Sequence, residues 1–351
     1  MVQKYVILKT GCLVVFMFHV IFIYHVYVKF KPDVQMKFKS NYYYNSRNIT
    51  KKSLLTLFTS WSEDKGKYIC RNNTINNWNL LHENVVRILF TNDAALSDRV
   101  KSMGWKVLPI TKVGTTGVPI LKYMFYATMA AEDSLFYAYA NGDILFTDGL
   151  IKSIKAVKKS KLGGARDLLM IGRRYDVRNV SKNEATNYYK LITAVKSRGD
   201  LHRPEGIDYF ILKKTYPLQD FPDLVIGRIR IDTYLVSVAV SSSHSHVVDI
   251  SKTSIAVHQV TLPGKTGVDE GRSKHDASYN VKLLESKNFI KFYLRRGSTM
   301  CAPFYTKRSK NMTISIKDRK TDMHIRCTET VKIKTKQTID NNKKKNEKGN
   351  S

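Results

Sequence analysis

Acidic residues are scarce in this 351-residue sequence, with 29 Asp and Glu against 59 Lys and Arg, a formal charge of +30 at pH 7. Such a balance calls for anionic surroundings, and membrane surface, acidic polysaccharide, sugar nucleotide and nucleic acid all qualify. Cysteine is also sparse. The four residues Cys12, Cys70, Cys301 and Cys327 form no Cys-x-x-Cys, which argues against a zinc ribbon. There is no RNA-recognition consensus, zinc finger or leucine-repeat basic helix, so charge alone makes no case for nucleic acid. No tandem repeat occurs, and Gly114 and Gly117 match no phosphate-loop spacing.

Apolar residues, in contrast, are present at an ordinary 43%, enough for one large domain or two modest ones. The first run, residues 5–28, reads YVILKTGCLVVFMFHVIFIYHVYV. At about 1.5 Å per residue it is long enough to cross a hydrocarbon core of roughly 30 Å. No small-residue cleavage pattern precedes Lys29, so the run reads as an uncleaved signal anchor, with residues 1–4 as a short cytoplasmic end. The expectation is a single-pass type II protein of the Golgi or endoplasmic reticulum membrane with its body in the lumen. Sequons at Asn48, Asn72, Asn179 and Asn311 fit a lumenal glycoprotein. Cys12 falls in the anchor. Of the remaining three, Cys301 with Cys327 is the favoured disulfide because it would staple the C-terminal region, although other pairings stay open.

Residues 29–80, rich in Lys, Asn, Ser and Tyr, read as a polar stem, and residues 328–351 as a disordered basic tail. The 81–327 region between them has a different texture. VVRILF (85–90) and WKVLPI (105–110) are strand-like runs separated by a loop and a helix, which is the mark of a parallel α/β sheet. A helix over ILKYMFYATMAA then leads to the strand SLFYAYA, which places Asn141-Gly142-Asp143 at a strand's carboxyl end. Ligands of open α/β sheets collect at that edge. GLIKSIKAVKKSKL follows as a helix with a basic face.

The ordered blocks YANGDILF, LLMIGRRYDV, GIDYFI, VIGRIRIDTYLV and VVDISKTSIAVHQ resemble a little-characterised group of glycosyltransferase-like proteins with the nucleotide-diphospho-sugar transferase, or GT-A, fold. The resemblance covers about residues 85–262. It implies a GT-A-like, mostly parallel sheet flanked by helices and preceded here by one transmembrane helix. The implied activity is metal-dependent transfer of a sugar from a nucleotide-diphospho-sugar to a glycan or glycoprotein acceptor. A catalytically inactive, lectin-like glycan-binding relative is the alternative. Membrane, sugar nucleotide and acceptor are the expected partners, and nucleic acid is not.

The family carries Asp-x-Asp at the strand end, and Asn141-Gly142-Asp143 stands there in this chain. Asp143 matches the second acidic position and is the expected ligand of Mn²⁺ or Mg²⁺. Asn141 departs from the pattern, supplying an amide for a ribose or phosphate but no charge. Asn-Gly is also a favoured β-turn dipeptide. The resemblance puts the nucleotide over the first strand end, at Thr91, Asn92 and Asp93, although Asp93 equally suits a helix N-cap. The guanidinium forks of Arg173 and Arg174 suit phosphate or an acidic sugar, with Asp176 able to orient one of them. Asp208 falls in the acceptor half, where it could hold sugar hydroxyls while Tyr209 lines the ring. Asp232 is the expected general base, or else a helix cap. His258 matches the family's late histidine and is the second expected metal ligand.

Overall fold

The structure, a computed structural model, describes residues 52–61, 67–115, 117–260, 274–286, 296–319 and 327. Its first strand, β1 (Ser53–Ser60), lies inside the region expected to be stem. Leu55, Thr56, Leu57 and Phe58 are all fully buried, so both faces of this strand are covered. Helix α1 (Tyr68–Asn79) follows and is also part of the folded body.

The main sheet runs in the order β13 (Ile314–Asp318), β12 (Phe304–Arg308), β10 (His246–Asp249), β6 (Leu168–Ile171), β9 (Tyr209–Lys213), β4 (Ser134–Ala140), β1, β2 (Val85–Phe90) and β3 (Lys106–Leu108). A smaller sheet has the order β5 (Ile144–Phe146), β11 (Ala256–Val260), β7 (Arg174–Arg178) and β8 (Gly199–Leu201). The remaining helices are α2 (Ala94–Ser102), α3 (Leu121–Ala131), α4 (Gly149–Lys159), α5 (Lys182–Ala185), α6 (Tyr188–Arg198), α7 (Ile231–Ser241) and α8 (Lys274–Ser286).

Local sequence explains much of this. In α4, Leu150, Ile151, Ile154 and Val157 recur at helical spacing and are buried, while Lys152, Lys155, Lys158 and Lys159 face solvent. Helix α2 starts where Asp93 accepts from the Leu96 amide at 2.9 Å, and α5 starts in a Ser181/Glu184 capping box. The sheet has an apolar layer on each face. One is built around Leu55, Leu57, Trp78, Trp105 and Phe136, and the other around Phe58, Phe90, Phe125, Tyr137 and Phe210. Trp78 stacks on Trp105 with centroids 5.1 Å apart, and Phe125 meets Phe58 edge-on at 4.8 Å. Truncating Phe58 to Ala in such a layer costs about 3–5 kcal/mol.

Five of the eight pairings in the main sheet are parallel, and the sheet is mixed because β9 runs antiparallel to both β4 and β6, and β13 antiparallel to β12. Helices flank this mixed sheet, an arrangement compatible with a GT-A-like fold. One feature of the expected fold is corrected, and it concerns the membrane. Among the described residues no helix is long and apolar enough to cross one. The longest described helix, α8, has 13 residues, which at about 1.5 Å each reaches only about two-thirds of a hydrocarbon core. On that finding the preceding transmembrane helix, the signal-anchor topology, the membrane partner and the Golgi or endoplasmic reticulum placement are set aside. Residues 5–28, like residues 29–51 and 328–351, lie outside the described residues.

The expected disulfide is present, joining Cys301 to Cys327 with Cα atoms 5.3 Å apart, and Cys70 is a buried thiol on α1. Asn179 and Asn311 are exposed, whereas Asn72 sits within α1. The Asn48 sequon is outside the described residues.

Candidate active site

Three strands leave the main sheet at their carboxyl ends, turn, and continue into the small sheet. β4 passes through Asn141-Gly142-Asp143 into β5, β6 through Gly172-Arg173 into β7, and β10 through residues 250–255 into β11. Because β9 runs the other way, Asp208 at its start comes to the same edge, and the Asn141 amide donates to the Asp208 carbonyl at 2.9 Å. In the small sheet His258 is in register with Asp176 on one side and Ile144 on the other. Strand direction and register thus gather residues that are far apart in the chain.

Their side chains form a continuous polar chain. Tyr139 Oη donates to Asn141 Oδ1 at 2.8 Å, and Asn141 Nδ2 donates to Asp208 Oδ1 at 2.7 Å. Asp208 Oδ2 is paired with Arg174, whose Nε also reaches Asp176 Oδ1 at 2.9 Å. Asp176 accepts from His258 Nδ1 at 2.8 Å and from His202 Nδ1 at 2.7 Å. His258 Nε2 lies 3.4 Å from Asp143 Oδ2. The arrangement alternates sign, which is how several charges share a partly dry corner.

Burial would lower the His258 pKa, but the Asp143 and Asp176 carboxylates outweigh it and push it up to about 10. Burial likewise opposes ionisation of Asp143 and Asp176, yet His258 and Arg174 hold Asp143 below the usual carboxylate range. His202, His258 and Arg174 do the same for Asp176. Arg174 is more firmly protonated than an ordinary arginine, because Asp208 and Asp176 overcome its desolvation. Asp232 goes the other way, pushed up to about 6 by burial and then by the nearby Asp208 charge. Its oxygens accept from the Thr233 amide at 2.8 Å and the Ile207 amide at 3.4 Å. It lies in the first turn of α7, which is entered through Arg230 in the left-handed region (φ 79°).

Asn141, Asp143, Arg174, Asp208 and His258 therefore meet in one network, with Asp232 beside it. Arg173 has a different task. Its Nε donates to the His202 carbonyl at 2.9 Å and its amide to Ser251 Oγ at 2.8 Å, holding the loop that carries His202. Thr91, Asn92 and Asp93 stand at the end of β2, two strands from β4, and are engaged locally. Asn92 exchanges hydrogen bonds with the Ile110 backbone at 2.8 and 3.2 Å, Asp93 caps α2, and Thr91 Oγ1 accepts from the Asp93 amide at 3.2 Å. Tyr209 is only 1% exposed and meets Phe146 edge-on, so it supports the floor and lines no ring.

Gly142 does not adopt the positive φ of an Asn-Gly hairpin turn. It is a glycine because Trp61 comes close: a Cβ there would stand 2.6 Å from the indole. Among the described residues, the buried Thr59 Oγ1, Trp61 Nε1 and Asp143 Oδ1 have no hydrogen-bond partner. Thr59, Trp61 and His202 were not read from the sequence, and Asp176 was read only as an orienting group. The one available signal for His202 is its place in a His-Arg-Pro-Glu-Gly loop just before the apolar strand at this edge. Among the described residues no group of three His, Cys, Asp or Glu side chains is arranged to hold an ion. Asp143 and His258, the two expected ligands, face each other at 3.4 Å.

No family model matches the sequence, and no curated protein is significantly similar to it. Solved structures with a partial likeness include a mycobacterial protein, at 13% identity and TM-score 0.36 over 68% of this chain and 76% of that one. Another is GalNAc-T7 with UDP, GalNAc and Mn²⁺, at 9% identity and TM-score 0.42 over 70% of this chain and 50% of that one. A third is a mannosyltransferase from Pyrobaculum calidifontis with GDP-Man and Mn²⁺, at 8% identity and TM-score 0.37 over 62% of this chain and 60% of that one. The chain thus spans only half to three-fifths of the two transferases. Likeness at this level fixes neither activity nor substrate.

Proposed function

We propose that this chain is a metal-dependent glycosyltransferase that moves a sugar from a nucleotide-diphospho-sugar to a glycan or glycoprotein acceptor. The observation that carries the reading is the Asp143–His258 pair at the carboxyl edge of the sheet. One carboxylate oxygen faces the imidazole at 3.4 Å, while the other is buried with no hydrogen-bond partner among the described residues. Asp176 fixes the far imidazole nitrogen, the outer-shell support typical of metal-ligating histidines. These donors fit Mn²⁺ or Mg²⁺ held by two protein ligands, with the other positions left to diphosphate oxygens and water. Such a cation would neutralise charge on the leaving diphosphate.

The chain's own groups divide the remaining work. Asn92 and Asp93, expected over the nucleotide, have side chains already committed to the Ile110 backbone and to the α2 N-cap. Asp208 has one oxygen on Asn141 and the other on Arg174, which makes it a positioning group rather than a base. Asp232, with its pKa pushed up to about 6, is suited to take the acceptor hydroxyl proton as that oxygen attacks the anomeric carbon.

The lectin-like alternative draws on Asn141, whose amide is spent on Asp208 and Tyr139 and adds no charge for a cation. Calorimetry with UDP and GDP, each with Mn²⁺ and with chelator, tests the site. The wild-type chain should bind one of them more tightly with Mn²⁺, and Asp143→Ala should lose most of that increment. No metal-dependent binding to either would sink the proposal. Binding without Mn²⁺-dependent hydrolysis of any sugar nucleotide would favour the lectin-like reading.

A further inference from the structure

Helix α1 carries YICRNNTINNWN, yet Asn73, Thr74, Asn77 and Trp78 are at most 2% exposed. Burying so many polar groups is costly unless each finds a partner. Asn73 donates to the Val180 carbonyl, and Thr74, Asn77 and Trp78 all reach one short segment. β5 is an edge strand, paired with β11 on one side only, and its open side would leave backbone groups unsatisfied. Thr74 Oγ1 donates to the Gly142 carbonyl at 2.9 Å, and Trp78 Nε1 to the Ile144 carbonyl at 2.8 Å. Asn77 donates to the Phe146 carbonyl at 3.1 Å and accepts from its amide at 2.7 Å.

The spacing makes this possible. Thr74 to Trp78 is one turn of helix, about 6 Å, and Gly142 to Ile144 is two strand residues, about 6.7 Å. Alternate residues of a strand turn their backbone groups to the same side, so a single helix face can serve Gly142, Ile144 and Phe146 in succession. The intervening Asp143 carbonyl points the other way, to β11, where it accepts from the Gln259 backbone amide at 3.1 Å and from Gln259 Nε2 at 3.3 Å. Gln259 is in turn oriented by Asn73 Nδ2, which donates to its Oε1 at 3.0 Å, and by Thr74 Oγ1, which accepts from its Nε2 at 3.2 Å. Thr74 therefore touches both clamps on the Asn141-Gly142-Asp143 turn.

We infer that Thr74 and Gln259 are positioning residues that fix the main chain at Gly142 and Asp143, and through it the Asp143 carboxylate against His258. The inference rests on the reading of Asp143 and His258 as the metal pair. It assigns a site role to hydrogen-bonding side chains of the Asn-rich helix α1.

Amide hydrogen exchange and Mn²⁺ affinity, the latter by electron paramagnetic resonance with UDP or GDP present, test this on the full chain. The comparison is wild type, Thr74→Val and Thr74→Ser, well below the thermal midpoint of each. Thr74→Val should speed exchange over residues 142–147 while leaving 168–171 protected, and should weaken Mn²⁺ binding roughly 10–100-fold, the usual effect of losing outer-shell support. Thr74→Ser, which keeps the hydroxyl, should restore both. Folded Thr74→Val with a wild-type exchange pattern over 142–147, or with faster exchange there but unchanged Mn²⁺ affinity, overturns the inference. If Thr74→Val does not fold, Gln259→Met strips a donor from the Asp143 carbonyl while leaving Thr74 on Gly142, and carries the same readouts. If wild type binds Mn²⁺ with neither nucleotide, the metal reading falls, and the exchange arm alone decides whether Thr74 holds the turn.

Discussion

The strict Asp-x-Asp pattern suggests that Asn141→Asp would repair the site by restoring a charge, and the structure reverses that expectation. Asn141 Nδ2 donates to Asp208 Oδ1 at 2.7 Å, and the Asp208 side chain is only 11% exposed. Replacing the amide nitrogen by a carboxylate oxygen removes a hydrogen bond to a charged acceptor, worth about 1.5–3 kcal/mol. It also sets two negative groups side by side, where two unit charges about 4 Å apart repel by roughly 4 kcal/mol at an effective dielectric of about 20. Arg174, already on Asp208, offsets part of this. The net expectation is a loss of about 3–5 kcal/mol, larger than for Asn141→Ala, which removes the bond without adding a charge. Urea denaturation of the three proteins at pH 7.5 measures it, and Mn²⁺ titration should show no gain for Asn141→Asp. A variant as stable as wild type, or one that binds Mn²⁺ with a nucleoside diphosphate more tightly, would refute the assignment of Asn141 as the donor that steadies Asp208.

Two further outcomes are expected. Arg174→Met strands Asp208 and Asp176 in a half-dry corner and should cost about 3–5 kcal/mol, with Arg174→Lys intermediate because it keeps the charge but loses the fork; denaturation of Arg174→Met within 1 kcal/mol of wild type would show that the bridge contributes little. Asp232, with its folded pKa pushed up to about 6 against an ordinary 3.8, binds more protons in the folded than in the unfolded state between those values. Stability from this group therefore falls as pH rises through that window, and the penalty is fully present above it. About two pKa units correspond to at most about 3 kcal/mol, and water at this half-buried group reduces that to about 2. Asp232→Asn should accordingly gain on wild type by about 2 kcal/mol between pH 3 and 7.5, and a pH-independent difference in denaturation midpoints would contradict the raised pKa.

The parts of the fold that were legible are those whose side chains announce burial directly. VVRILF, SLFYAYA, LLMI and YFIL are apolar runs, and each is a strand of the main sheet. Strand direction was not legible, because β9 looks locally like its parallel neighbours. Its reversal depends on a connection that returns through β8 to the carboxyl edge. That reversal is also what carries Asp208 to Asn141. The start of the folded body was missed for a related reason. LLTLF is short and framed by Lys51-Lys52-Ser53 and Thr59-Ser60, so composition averaged over residues 29–80 hides a strand that lies between β4 and β2.

Helix α1 shows most clearly where composition misleads. An Asn-rich helix without an apolar stripe is ordinarily solvent-facing or unstable, and the sequence gives no local hint that this one is buried. Thr74, Asn77 and Trp78 find main-chain partners 66 to 69 residues away, on a strand edge that exists only once β4 has turned into β5. The site was legible to the extent that it shared this logic of pattern. Asp143 and His258 sit at strand positions where the sequence resemblance expects ligands, and the structure brings them within 3.4 Å. Asp176 and His202 take their meaning from register and loop closure, which no spacing along the chain encodes. A polar residue in such a corner is informative only with its partner, and here the partners come from β4, β7, β9 and β11 and the loops that join them.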